Sequence, residues 1–174
     1  MKVKLVLLAT IIFSINAFGD DIPSYSRAEF GHSWADTDGD CLDTRQEILI
    51  RDSVYQVTID DCRVVNGLWF HPYANTTEQP NFTTSARSLD IDHVIPLKWA
   101  WTRGEAWRWS KEKRIEFAND PENLIAVDSS ENRSKGARGP DLWLPANKAF
   151  VPIYIDLWNR LIVKYWLSNY GHSQ

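Results

Sequence analysis

Hydrophobic and polar positions along this chain follow more than one period, and the changes of period locate its elements. Thr44 and Glu47 stand three apart ahead of an apolar stretch, the spacing of a capping box, so a short helix is predicted from there to about Asp52. Residues 55–70, YQVTIDDCRVVNGLWF, gather β-branched and aromatic side chains around Asn66-Gly67, which predicts a strand or hairpin turning at that pair. Residues 71–86, HPYANTTEQPNFTTSA, are polar and turn-rich and read as a loop. LDIDHVIPL is a β-prone run stopped by Pro96, and WAWTRGEAWRWSKEKRIEFAND behind it reads as a helix kinked near Gly104. In PENLIAVDSSENRSKG a strand-like NLIAV leads into a polar helix start, and the tail IYIDLWNRLIVKYWLSNYG spaces its apolar residues like an amphipathic helix. Strands interleaved with helices over 174 residues predict an α+β fold.

The first residues depart from every one of these patterns. Two lysines precede a mostly apolar run from Leu5 to Ile15, then small residues at Ala17 and Gly19. That is the form of a secretory signal peptide, over 1–19, with cleavage after Gly19 or, as the alternative, Ala17. The run is too short to cross a bilayer, which takes about 20 residues, so no membrane attachment is expected after cleavage. The expected location is the periplasm or the medium, and residues 20–174 are expected to form one domain.

Export changes the reading of charge and cysteine. Without Lys2 and Lys4 the chain holds 17 basic against 23 acidic side chains, a net of −6. The imbalance is local: residues 20–62 carry a net of −8 and residues 63–174 a net of +2, so a polyanion would meet the second part. Cys41 and Cys62 are the two cysteines, and in an oxidising compartment they are expected to form one disulfide. A zinc site would want more ligands than these two residues supply.

The candidate chemistry collects around residue 92 and again some thirty to forty residues later. Asp92 and His93 end a β-prone run; Asn123 and Asn132 follow, nine apart, with Arg133 and Lys135 directly after. Asp92 and Asn132 offer hard oxygen donors suited to Mg²⁺ or Mn²⁺. His93 is a base with an ordinary pKa near 6.5, and Asn123 is expected to orient its imidazole. Arg133 and Lys135 are cations for a phosphate. Asp90, two residues before Asp92, shares its strand face and is a candidate carboxylate behind the metal ligands.

LDIDHVIPL followed by FANDPENLIAVDSSENRSKG resembles the HNH nucleases of the ββα-metal, or His-Me finger, class. With WADTDGDCLDTRQEIL, it is similar to a family of secreted HNH endonucleases, over about Trp34 to Pro145. The resemblance implies a ββα-metal core over about 88–138, elaborated by a disulfide-stapled N-terminal segment and a C-terminal helix. It implies Asp92 and Asn132 as metal ligands, His93 as general base and Asn123 as the middle residue of the motif. Asn132 stands where many HNH proteins have His, and the paired CxxC knuckles of many HNH domains are missing. The implied function is metal-dependent hydrolysis of phosphodiester bonds in nucleic acid, mainly DNA; the lack of a recognition-helix motif or zinc finger predicts little base selectivity, and no obligate protein partner is inferred. A toxin-type nuclease is a near variant of that reading.

Three other features have competing readings. Asp36, Asp38, Asp40 and Glu47 fall at positions 1, 3, 5 and 12 of a calcium-loop template, but the glycine is misplaced at Gly39. They are either a structural Ca²⁺ site, as in a secreted calcium-binding adhesion or scaffold module without catalysis, or, the favoured reading, carboxylates that cap the turn before the helix. Arg103, Arg108, Lys111, Lys113 and Arg114 are interleaved with Trp101, Trp107 and Trp109, either a single-strand platform or, more commonly for such residues, core and solvated charge. Glycosylation triplets begin at Asn75, Asn81 and Asn132, and a sugar on Asn132 would block the candidate site.

Overall fold

A computed structural model of the chain describes residues 21–74 and 82–168; the expected signal peptide over 1–19 and the triplet asparagines Asn75 and Asn81 lie outside these residues. Helix α1 spans Thr44–Asp52, as its sequence predicts, but its cap is one residue earlier. The Asp43 carboxylate accepts from the Gln46 amide at 3.1 Å and from the Gln46 side chain at 3.3 Å, both bonds running from Gln46 to the cap. The Thr44 hydroxyl is taken instead by the Ala35 carbonyl at 2.8 Å.

Strands β1 (Thr58–Asp60), β2 (Arg63–Phe70) and β3 (Phe82–Ser85) form an antiparallel sheet in that order. The hairpin turns at Asp61-Cys62, both left-handed at φ 45° and 60°, and Asn66-Gly67 lie inside β2 where the register shifts. A β-carbon on Gly67 would sit 2.6 Å from the Trp69 ring, so the glycine serves close approach of an indole and not a turn. β3 also corrects the expected loop over 71–86: Phe82, Thr83 and Thr84 are β-prone enough to pair once β2 offers an edge.

The Trp-rich stretch is broken, not merely kinked. Helix α2 (Leu97–Thr102) ends before a 3₁₀ turn at Ala106–Arg108, and α3 (Lys111–Asn119) starts under a Ser110 cap. Gly104 lies so close to Leu167 that a β-carbon would approach its Cδ2 to 2.6 Å, and Glu105 is left-handed at φ 60°. Strand β4 (Leu89–His93) pairs antiparallel with β5 (Leu124–Asp128), which runs directly into α4 (Ser129–Lys135), capped by Asp128 and stopped by Gly136 at φ 57°. Helix α5 (Val151–Tyr165) closes the described chain.

Two apolar clusters fasten the β4–β5 strand pair. Ile48 and Leu49 of α1 pack with Val64, Trp69, Leu89, Ile91, Leu124 and Ala126, while Tyr154, Trp158, Leu161 and Tyr165 of α5 pack with α2, α3, Val94, Ile95 and Val127. Side chains alternate along β4, so Leu89, Ile91 and His93 share one face and Asp90 and Asp92 the other, toward α4. The fold is α+β, with a C-terminal helix and a Cys41–Cys62 disulfide whose sulfurs are 2.11 Å apart. Closing a loop of 21 residues should stabilise by about 3 kcal/mol in the chain-entropy account, so reduction is expected to lower the urea midpoint. An unchanged midpoint under reductant would mean that the bond adds nothing to the fold.

Candidate active site

The candidate residues come from the end of β4, from the turn before β5 and from α4, and the structure assigns them unequal surroundings. Asp92 is 5% exposed, and its carboxylate is gripped from two sides. The Lys135 ammonium donates to both oxygens, at 2.9 and 2.8 Å, and the Tyr73 hydroxyl donates to Oδ2 at 2.7 Å. Lys135 is 0% exposed and gives its remaining proton to the His93 carbonyl at 2.6 Å. All three ammonium protons are therefore used inside the protein, and none is left for a phosphate. The expectation that Lys135 meets substrate does not hold in this structure: its place on α4 aims it at the Asp92 face of β4. Burial pulls the Asp92 carboxyl up and the Lys135 ammonium down from their ordinary values, each opposed by the partner's charge. Arg133, two residues back on α4, is exposed.

His93 lies on the opposite face. Its Nε2 is 2.9 Å from the Ala118 carbonyl, which can only accept, so Nε2 carries the proton and Nδ1 the lone pair. The ring stacks on Trp34, centroids 5.5 Å apart and planes 10° from parallel. Burial, assisted by the positive charges of Arg27 and Lys135 and opposed by the Ala118 carbonyl, pushes its pKa down to about 3. The shift favours the neutral ring, and it also makes the imidazole a weaker base than an ordinary histidine.

Asn123 is fully buried, and it does not touch the imidazole. Its Oδ1 accepts from the Ile95 amide at 2.8 Å, its Nδ2 donates to the Ile95 carbonyl at 3.4 Å, and its own carbonyl takes the Val94 amide at 2.8 Å. It fixes the backbone just after His93, and the ring itself is oriented by Ala118. The sequence could not separate these roles, because a backbone carbonyl has no residue type. Asn132 donates from Nδ2 to Asp90 Oδ2 at 3.0 Å, while the Ser129 hydroxyl donates to Asp90 Oδ1 at 3.0 Å. Asp90 therefore steers the Asn132 amide, whose other prong is its carbonyl oxygen. Tyr73 and Trp34 were missed as site residues. Tyr73 sits in a segment read as loop, and its only signal was an aromatic ring beside a proline.

The donors that would face a metal, Asp92 and Asn132, are oxygens. A carboxylate has about four lone-pair positions, and three hydrogen bonds to Asp92 leave room for one further bond. Oxygen donors of this kind would suit a small hard dication.

Elsewhere, ligand oxygens of Asp36, Asp38 and Asp40 lie within 4.8 Å of one another, all exposed. Their carboxylates accept backbone amides of Gly39, Cys41, Asp40 and Leu42, so they cap the turn among themselves. Glu47 is pushed up by partial burial and by those neighbours. The Trp-rich stretch is packing: Trp99 and Trp101 are buried, Arg108 and Lys113 lie 4.2 and 4.5 Å from the Trp107 and Trp109 centroids, and Arg114 is paired with Glu29. None of the described helices is long and apolar enough to cross a membrane.

Residues 43–165 match the family described as GmrSD restriction endonucleases, C-terminal domain. The chain is also 38% identical over 146 residues to an uncharacterized secreted protein of Arthroderma benhamiae, a match covering 83% of this chain and 68% of that one. No solved structure matches. The matched stretch runs from the cap of α1 to the end of α5 and contains Asp92, His93, Asn123 and Asn132, and by it the chain belongs to the family of GmrSD restriction endonuclease C-terminal domains.

Proposed function

We propose that this chain is an exported endonuclease of the ββα-metal (HNH) type that hydrolyses phosphodiester bonds in DNA with little sequence selectivity, its nuclease domain spanning 20–174. The observation that carries the reading is the placement of His93, its Nε2 2.9 Å from the Ala118 carbonyl and its Nδ1 left as acceptor, one residue from a buried carboxylate inside a family named for endonucleases. Family membership and an uncharacterized secreted relative support the assignment.

In that reading His93 Nδ1 accepts a proton from water as the water oxygen bonds to phosphorus and the bond from phosphorus to the 3′ oxygen breaks. The Ala118 carbonyl keeps the imidazole in the required tautomer and shares the charge that develops on it. Asp92 and Asn132 would hold a divalent cation, Mg²⁺ or Mn²⁺, which when bound supplies electrostatic stabilisation of the charge on the phosphate and leaving oxygens. Lys135 and Tyr73 hold Asp92 in register, Asp90 orients Asn132, and Arg133 meets a phosphate oxygen. Among the described residues no recognition-helix motif or zinc finger is present, and contacts mainly to phosphate are expected.

The test is digestion of plasmid and of RNA by purified protein, with and without EDTA. Nicking that requires Mg²⁺ or Mn²⁺ and stops on chelation is expected, and the RNA arm defines the substrate range. Absence of cleavage under every metal, with the protein folded, would overturn the nuclease reading and favour the calcium-binding scaffold built on the 36–47 loop.

A further inference from the structure

We infer that Trp34 is the positioning residue for His93: its indole holds the imidazole flat while the Ala118 carbonyl fixes the rotation, so that Nδ1 points in one direction. The inference rests on the reading of His93 as general base, and it reaches outside the family-matched residues 43–165 into the N-terminal segment.

The geometry is that of a clamp. A hydrogen bond from Nε2 to a carbonyl leaves the imidazole free to swing about that bond, and a stacked ring removes the swing. The Trp34 and His93 rings lie 10° from parallel at 5.5 Å, whereas the aromatic pairs involving Trp99, Trp143, Tyr154 and Phe117 are tilted or edge-on. Both jaws start from one place. Ala118 takes the imidazole, and the next residue, Asn119, accepts the amide of Ala35 on its Oδ1 at 2.9 Å. The Asn119 amide is itself fixed by donating to the Ile115 carbonyl at 2.9 Å, and the Ala35 carbonyl is held by the Thr44 amide at 2.7 Å and the Thr44 hydroxyl at 2.8 Å. Trp34 is thus tied to the C-terminal end of α3 and to the first turn of α1. The Arg27 guanidinium lies 6.0 Å from the indole centroid, so the stack carries a cation toward the site. Trp34 also packs against the edge of the α1 cluster, so a purely structural role is the alternative to be beaten.

The test compares Trp34→Phe, Trp34→Leu and Asn119→Ala in plasmid cleavage, each alone and in a His93→Ala background, with thermal unfolding measured alongside. Leucine is apolar but smaller and has no flat face, so thermal unfolding separates loss of packing from loss of the stack. Misplacing a reacting group by about 1 Å can cost 10²-fold, so Trp34→Leu is expected to lower kcat by roughly ten- to a hundredfold with KM nearly unchanged, Trp34→Phe to retain most of the rate, and Asn119→Ala to fall between. In the His93→Ala background Trp34→Leu should cause no further loss. By NMR of the metal-free protein, the His93 ring protons should lose an upfield ring-current shift in Trp34→Leu and keep part of it in Trp34→Phe. If Trp34→Leu keeps kcat, or lowers the rate by the same factor whether or not His93 is present, Trp34 does not act through His93 and the inference is overturned. If His93→Ala itself cleaves at the normal rate, the base assignment fails first, an outcome separable from the former.

Discussion

Replacing His93 by alanine is expected to slow cleavage by roughly 10²–10⁴-fold while binding of metal and of DNA persists. The expectation follows from the two ring nitrogens. Nε2 is committed to the Ala118 carbonyl, which leaves Nδ1 its lone pair, and in the proposed mechanism that lone pair takes a proton from water while Asp92 and Asn132 would hold the metal. Removing the imidazole leaves Asp92 with Lys135 and Tyr73, and Asn132 with Asp90, untouched. Calorimetric titration with Mg²⁺ and DNA binding without turnover supply the comparison. Loss of metal affinity in His93→Ala as complete as in a ligand variant would make His93 a ligand and overturn the assignment of proton transfer.

The largest effect on stability is expected at Lys135. Lys135→Met removes an ammonium that makes three hydrogen bonds at 0% exposure and leaves the Asp92 carboxylate buried without its counter-charge. Breaking a buried pair on one side costs about 3–5 kcal/mol, whereas replacing both partners by apolar residues of similar size is often close to neutral. Lys135→Met and Asp92→Ala should therefore each lower the urea midpoint strongly, and Asp92→Leu combined with Lys135→Met should recover much of the loss. A Lys135→Met variant as stable as the parent would show that the pair is not buried in solution as it is here. Loss of cleavage in Asp92→Ala therefore counts as loss of a metal ligand only at temperatures where that variant is shown to be folded.

The pair also shows where local patterns stop being informative. Strand β4, strand β5 and helix α5 are readable along the chain because each has its own signal: β-prone runs bounded by Pro96 and Pro121, and apolar residues at helical spacing after Pro152. Helix α1 was readable too, although its cap was misplaced by one residue, since Thr44 and Asp43 are both good caps and only the position of Ala35 decides which one serves. The break between α2 and α3 was read as a kink because the contact that forbids a continuous helix, Leu167 over Gly104, spans most of the second half of the chain.

By itself the sequence determined the export signal as an expectation, the α+β alternation, the pairing of its two cysteines, and the set of residue types from which the candidate site is drawn. Tertiary structure decided what each of them does. Lys135 follows Arg133 by two residues, yet one is sealed against Asp92 and the other exposed, because α4 lies across β4 and consecutive helical positions face different ways. Asn123 reaches a backbone amide 28 positions away, and the imidazole of His93 is set by a carbonyl 25 positions away. Trp34 joins the site from outside the matched family region. Periodicity records which face of an element turns inward, but which partner it meets there depends on how separate elements are brought together, and that is a property of the packed chain alone.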